Sequence, residues 1–407
     1  MSVQSPPTST EACRREHQSA FAGLGTTEFA MPRVAVGPIL ALGAEGKGSV
    51  CFYQGSCAEM VSGLGNLAQP GPFRTFHRHV KELLERAGEG PLLIAHDLHP
   101  SYLSTRLAQS LGRPCLPVQH HHAHAMTVLA EHDVKTPALA LVCDGAGYGS
   151  DGMIWGCELL ACRGAAFDRM GHHVTFPLLG GDAASIETWR PAAALLQAAY
   201  GDAWPRDAVG RLGSNVLSDI SRLVARRAVV RPSLLTSSLG RIFDAVASLL
   251  GLCNRNDREG QAAGVLQSAA AGCIGPPYAY ETALDAQHIR MSLIPGIRGV
   301  VEDILERRDV AEVAARFHGT VASMLAAAAR IAADRTGIRL VALAGGCFTN
   351  SLLRECVITR LAAARLEVLT PRRTSYGDEC LALGQAVIGA AHTAAGFSAG
   401  ANDRKGR

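Results

Sequence analysis

At 407 residues with 48% hydrophobic and 18% charged side chains, the chain has apolar sequence for about two to three domains' worth of core, which excludes a fibrous or wholly disordered protein. Its 39 basic and 36 acidic residues leave a formal charge of +3, so no global field favours a nucleic-acid or membrane partner. The twelve cysteines include no pair at zinc-knuckle or redox spacing and read mostly as buried thiols of a reducing compartment. The first thirty residues carry no apolar central run, and Val321–Ala333 is too short to cross a bilayer, so a cytoplasmic protein is expected.

Residues 1–32 mix Ser, Thr, Pro and charge without periodicity and are expected to be a disordered extension. From Val34 the pattern changes. Pro38–Gly43 and Gly48–Gln54 are short apolar runs around Ala44-Glu45-Gly46-Lys47, the pattern of a β-hairpin. Apolar spacing then predicts a helix over Phe73–Ala87, a buried strand over Leu92–Ala95, a helix over Ser101–Leu111 and a helix-forming run over Ala125–Glu131. Strand, glycine-rich turn and strand recur at Leu139–Cys143, Asp144–Gly152 and Met153–Ala161. Two such units suggest an internal duplication of an α/β lobe, although glycine hairpins also recur by chance in a chain with 43 glycines.

The stretch 183–335 is mostly helical in pattern, and the basic cluster Arg222–Arg231 reads as a solvated helix face. Beyond it come a strand at Leu340–Ala344, a helix at Asn350–Leu361 after a Gly-Gly turn, a strand at Leu366–Leu369 and a closing helix at Cys380–Ala391. This order places ligands at strand ends. It divides the chain into a first lobe, 33–130, completed by the helix at about 380–392, and a second lobe, 131–379, with a helical insertion at about 183–335. Residues 393–407 are expected to be a flexible tail.

Four of the fifteen histidines fall in His120-His121-His122-Ala123-His124. On a helix, His120 and His124 share a face, and a separation of four residues brings two imidazoles within reach of one ion. A metalloprotease would need glutamate at position 121, where histidine stands. The alternative is a cluster that caps a helix and bonds to backbone. Two histidines do not complete a site; Asp144 and Asp378, each in a turn after a strand, are candidate carboxylates, and both also fit the ordinary role of aspartate in turns. Gly145, Gly147 and Gly149 allow backbone amides to approach a phosphate, and Gly345-Gly346 opens a helix whose N-terminus favours an anion. Gly180-Gly181-Asp182 is a further glycine turn.

Several motifs in order resemble the C-terminal domain of HypF, the carbamoyltransferase of [NiFe]-hydrogenase maturation. They are His96-Asp97-Leu98-His99-Pro100, Gln119 to His124, Asp144 to Gly149, Phe176-Pro177-Leu178 with Gly180-Gly181-Asp182, Trp189-Arg190, Gly240 to Val246, Glu259 to Ala263, Gly345-Gly346 with Asn350, and Leu383 to Ala386. The resemblance covers about residues 34 to 392. It implies an α/β, two-lobed actin-like fold of the duplicated ribonuclease H-like kind, with a helical insertion in the second lobe. It also implies His120, His124, Asp144 and Asp378 as ligands of a divalent metal, zinc or iron, with magnesium or manganese as alternatives.

By the same resemblance ATP or carbamoyl adenylate would meet the Gly145–Gly149 segment with Tyr148, Asp244 on the ribose, Gly260, Gly345, Gly346 and Asn350, with Asp182 and Arg190 at the catalytic rim. The implied reaction passes a carbamoyl group, derived from carbamoyl phosphate and ATP, to the C-terminal cysteine of HypE. No adenylating domain is evident in the sequence. Glu379 and Cys380 replace glycines usual in the family and are expected to crowd the metal's surroundings. A metal-dependent hydrolase of carbamoyl phosphate or a nucleotide, and a non-catalytic docking module for HypE, are the alternatives.

Overall fold

Ile39, Leu40 and Ala41 are all fully buried, so the strand they form must be covered on both faces. In the computed structural model, which describes residues 26–32, 37–201, 203, 205, 234–270 and 275–403, that strand is β2 of a six-stranded sheet. Its partners are β1 (Thr26–Ala30), β3 (Val50–Gln54), β4 (Cys57–Val61), β5 (Leu93–Asp97) and β6 (Cys115–Val118), in the order β1-β4-β3-β2-β5-β6. Strand β2 runs antiparallel to β3, Ile39 facing Tyr53, and parallel to β5, Ile39 facing Leu93.

Helix α1 (Pro70–Ala87) covers one face, burying Phe76, Val80 and Leu83 at the spacing of one helical stripe against Leu40, Phe52 and Ile94. Helices α2 (Leu103–Ser110) and α3 (His120–Glu131) follow β5 and β6. Thr26–Ala30 lies within the stretch expected to lack structure, yet it pairs antiparallel along the whole of β4, because a strand edge with open backbone groups recruits even a weakly patterned segment.

These elements belong to the first of two compact units, which comprises Met1–Pro137, Cys162–Phe167 and Leu369–Arg407; the second comprises Ala138–Ala161 and Asp168–Val368. The second is built on a sheet containing β7 (Ala138–Tyr148), β8 (Ile154–Arg163), β9 (Ala166–His173), and, later in the chain, β12 (Glu281–Asp285), β13 (His288–Ser292), β14 (Leu340–Ala344) and β15 (Glu367–Leu369). Their order is β12-β13-β9-β8-β7-β14-β15, with the short pair β10 (Phe176–Pro177) and β11 (Leu235–Thr236) beside β8. Without the edge additions β1, β12 and β13, the two sheets share one strand order: third, second, first, fourth, fifth. In both, the first and fourth strands are parallel, Ile39 facing Leu93 and Val341 facing Leu139. The duplication expected from two glycine hairpins is present as topology.

Between β9 and β14 lie α4 (Ala183–Ile186), α5 (Trp189–Tyr200), α6 (Leu239–Leu249), α7 (Gln261–Ala269), α8 (Ile294–Leu305) and α9 (Val310–Thr336). The middle stretch is mostly helical as expected, with one correction: the hairpin β12–β13 interrupts it, and β13 extends the sheet parallel to β9. The cluster Arg222–Arg231 lies outside the described residues. Helix α10 (Ser351–Ala363) follows β14, and α11 (Leu381–Asp403) closes the first unit against β2, β3 and β5.

The segment from Asp144 also differs from its expected form. Strand β7 continues through Tyr148, and the turn falls at Gly149–Gly152, where Gly149 N donates to Met153 O at 2.9 Å. The glycines here serve close approach of backbones: a Cβ on Gly156 would stand 2.8 Å from both Asp144 O and Ser238 Cα, and one on Gly240 would stand 2.9 Å from Gly145 Cα.

Candidate metal centre and nucleotide cleft

In the first unit, Gln119 caps α3 by accepting His122 N at 2.9 Å, which starts the helix at His120 and fixes the face its histidines present. His120 and His124 are one turn apart with ring centroids at 5.0 Å, and both are buried, at 0% and 4% exposure. Their Nε2 atoms lie 3.6 and 3.3 Å from the same oxygen, Oδ1 of Asp378. The ligating atoms of His120, His124 and Asp378 all lie within 4.8 Å of one another. Two imidazole nitrogens and a carboxylate oxygen converging in this way fit a divalent metal with nitrogen and oxygen ligands.

Asp378 is far from α3 in sequence, so its place depends on what anchors the segment before it. Glu131, in the last turn of α3, accepts the backbone N–H groups of Arg372 at 2.7 Å, Arg373 at 3.0 Å and Thr374 at 2.7 Å. His132 Nε2 meets Thr370 O at 2.8 Å. Glu379 and Cys380 are absorbed by the same turn: Ser375 Oγ donates to Glu379 Oε1 at 2.5 Å, Ser375 N donates to Cys380 Sγ at 3.2 Å, and Lys47 Nζ stands 3.7 Å from Glu379 Oε2.

The other two histidines of the cluster are packing groups. Gln119 Nε2 is 3.3 Å from His121 Nδ1, and the His122 ring lies 4.8 Å from the Phe167 ring, where burial lowers its pKa to about 4 despite a bond to the backbone of Gly164. One residue without an assigned part in the sequence reading touches the cluster: Asp97 Oδ2 is 2.7 Å from His120 Nδ1, and both side chains are fully buried. Its motif, His96 to Pro100, was visible in the sequence; its partner was not.

In the second unit, Asp144 is 6% exposed and its Oδ1 accepts Gly346 N at 3.1 Å. Gly345, at φ +92°, brings the segments after β14 and along β7 so close that a Cβ there would stand 2.4 Å from Cys143 O. Ser238 caps α6 by accepting Arg241 N at 3.1 Å and donates to Gly145 O at 2.6 Å, tying that helix end to β7. Tyr148 ends β7, and Gly147 lies within it. Asp244, on α6, pairs with Arg241 Nη2 at 2.8 Å and accepts from Asn256 Nδ2 at 3.3 Å; burial raises its pKa, which Arg241 and then Asn256 oppose.

A cleft of about 440 Å³ opens beside this group, lined in part by Ile186, Arg241, Arg255, Asn256, Arg258 and Gly260. That volume suits a nucleoside-sized ligand, and three guanidinium groups at its wall suit phosphates. Gly260, at φ +70°, begins α7. Arg190 packs its guanidinium over the Trp189 ring at 4.6 Å and donates to Glu187, while Asp182 is exposed at the head of α4. Asn350 has its carboxamide engaged on both sides, accepting Leu353 N at 2.9 Å as cap of α10 and standing 2.9 Å from His318 Nε2. Arg255, Asn256 and Arg258 were missed as cleft residues because scattered polar side chains in a loop give no periodic signal, and Arg241, on α6 within the quoted Gly240 to Val246 motif, had been given no role.

Fold and site together define an α/β protein of actin-like type, with a His/Asp cluster fit for a metal and a cleft fit for a nucleotide. The family models for "HypF Kae1-like domain" and "Carbamoyltransferase, Kae1-like Domain, second subdomain" match residues 35–131 and 140–385. A "Carbamoyltransferase HypF homolog" of Cupriavidus necator is 38% identical over 371 residues, covering 87% of this chain and 91% of that protein. "Carbamoyltransferase HypF" of Synechocystis is 31% identical over 378 residues, covering 89% of this chain and 48% of that one. A crystal structure of full-length HypF in the phosphate- and nucleotide-bound form superposes with a TM-score of 0.80 at 30% identity, covering 89% of this chain and 57% of that chain. The chain belongs to the HypF carbamoyltransferase family. Of longer relatives, among them the "Carbamoyltransferase HypF2" of Cupriavidus necator and the Synechocystis protein, it spans about half the length.

Proposed function

We propose that this protein transfers a carbamoyl group, delivered as carbamoyl adenylate made from carbamoyl phosphate and ATP, to the thiolate of the C-terminal cysteine of HypE in the cytoplasm. The observation that carries the reading is identity of 38% along 91% of a carbamoyltransferase homologue, in a chain whose His/Asp cluster belongs to the matched segments.

In this reading His120, His124, Asp144 and Asp378 hold one divalent ion, zinc or iron. A bound ion supplies charge stabilisation to the carbamoyl and phosphate oxygens as negative charge develops on them. The chain's own residues do the rest. The glycines of the Gly145–Gly149 segment and Gly345-Gly346 let the phosphate approach the backbone, although the Gly149 and Gly346 amides are already given to Met153 O and Asp144 Oδ1. Asp244 and Gly260 hold the ribose side, Asn350 buttresses the base end, and the cleft arginines neutralise the nucleotide's charge. Asp182 and Arg190 form the rim through which the acceptor tail enters. The thiolate forms the new C–S bond as the C–O bond to AMP breaks, and AMP leaves with the electron pair. None of this chain's cysteines is needed as nucleophile, since the acceptor supplies it.

Purified protein given HypE and either carbamoyl adenylate or a complete adenylating system should add one carbamoyl group to the HypE tail, read by intact mass. Chelator treatment, His120→Ala or Asp378→Ala should abolish the gain, and zinc or iron should restore the chelated wild type. An unmodified tail with the wild-type protein sinks the proposal, and phosphate release without any acceptor would make the protein a hydrolase instead.

A further inference from the structure

The motif His96-Asp97-Leu98-His99-Pro100 ends β5, and no part of the proposed reaction uses it. Asp97 nevertheless has a closely held carboxylate beside α3. It is fully buried; Oδ1 accepts His99 N at 2.8 Å, and Oδ2 faces His120 Nδ1 at 2.7 Å. Its backbone is tied down as well, since Asp97 O accepts Thr105 Oγ1 at 3.0 Å and lies 2.8 Å from His96 Nδ1. With Oδ1 held by His99 N in its own loop and the Asp97 carbonyl held by Thr105 Oγ1, the carboxylate is aimed so that Oδ2 meets the imidazole of His120.

A neutral imidazole carries one N–H and one lone pair. A carboxylate only accepts, so a neutral His120 keeps its proton on Nδ1 and its lone pair on Nε2, the atom 3.6 Å from Asp378 Oδ1. An anion hydrogen-bonded to Nδ1–H also stops the ring from turning. We propose that Asp97 is a positioning residue that locks His120 in the Nδ1–H tautomer and thereby sets the affinity of the His/Asp cluster for a divalent cation. The inference rests on the reading of His120 as a metal ligand.

Two measurements test it, and the first needs no metal. In metal-free wild-type protein with ¹⁵N-labelled histidine, long-range proton–nitrogen spectra assigned through His120→Gln should show His120 as the Nδ1–H tautomer; finding the Nε2–H form overturns the inference. In the second, Zn²⁺ alone is titrated against a chromophoric chelator with wild type, Asp97→Asn and Asp97→Glu. Asn keeps the volume but offers an N–H that competes for Nδ1, so affinity should fall roughly 10- to 100-fold, with Glu retaining more of it than Asn. Wild-type affinity in a folded Asp97→Asn protein, checked by its melting temperature without metal, overturns the inference while leaving the metal reading intact. A wild-type chain that takes up no Zn²⁺ overturns the metal reading, and this inference with it.

Discussion

His173 and His318 show how burial sets a charge state where no chemistry is performed. His173 Nδ1 donates to Val174 O at 2.7 Å and its Nε2 accepts Leu293 N at 2.9 Å, so the ring is satisfied as a neutral group. His318 is placed likewise between Ala314 O, at 2.8 Å, and the Asn350 carboxamide. Desolvation lowers both from the ordinary 6.5 to about 4. The unfolded chain takes up these protons near 6.5 and the folded chain only near 4, so the unfolded state binds more protons between those values. The stability tied to these rings is complete above 6.5 and falls as pH drops towards 4, by at most about 3 kcal/mol for each. Urea midpoints measured across that range should fall with pH, and His173→Gln with His318→Gln should flatten the curve; an unchanged slope would refute the assignment.

At the scale of elements, the crossing of α3 and α11 decides where the histidine face sits. A Cβ on Gly384 would stand 1.9 Å from Ala123 O, closer than any relaxation of a side chain could relieve. Thr127 Oγ1 bridges the same crossing, 3.0 Å from Ala123 O and 3.1 Å from Cys380 O, and accepts Gly384 N at 3.1 Å. Next along α11, the Gln385 carboxamide accepts Gly43 N at 2.8 Å and donates to Gly43 O at 3.2 Å, anchoring the helix to the turn after β2. Gly384→Ala should therefore cost about 3 kcal/mol or more through overpacking, and it should weaken Zn²⁺ binding because His120 and His124 ride on the displaced helix. A melting temperature and zinc affinity both equal to wild type would show that the crossing has slack.

Across the whole molecule, the two units differ in how the chain builds them. The second is nearly continuous in sequence, whereas the first is closed by its last segment, Leu369–Arg407, whose helix packs on β2, β3 and β5. Removing residues 369–407 uncovers one face of a sheet whose central strand is fully buried. In the truncated protein, limited proteolysis should digest the first 137 residues quickly while a fragment within 138–368 survives. Resistance of the first unit would mean that its other helix-covered face suffices for stability.

What the sequence determined by itself is local: the apolar stripe of α1, the buried run of β2, the glycine at position 345 and the four-residue spacing that puts His120 and His124 on one side of α3. Each follows from period, sterics or capping within a few residues. Family motifs added the candidate carboxylates that spacing had left as ordinary turn residues. Tertiary structure alone decided that Asp378 faces the two Nε2 atoms, that Asp97 holds the far side of His120, that Glu131 gathers the backbone leading to Asp378, and that Asn350 is occupied as a cap. It also decided that β7 runs on through residues expected to form a turn. These outcomes depend on which strands lie side by side and how closely helices cross, and such contacts between distant residues leave no periodic trace in the chain that makes them.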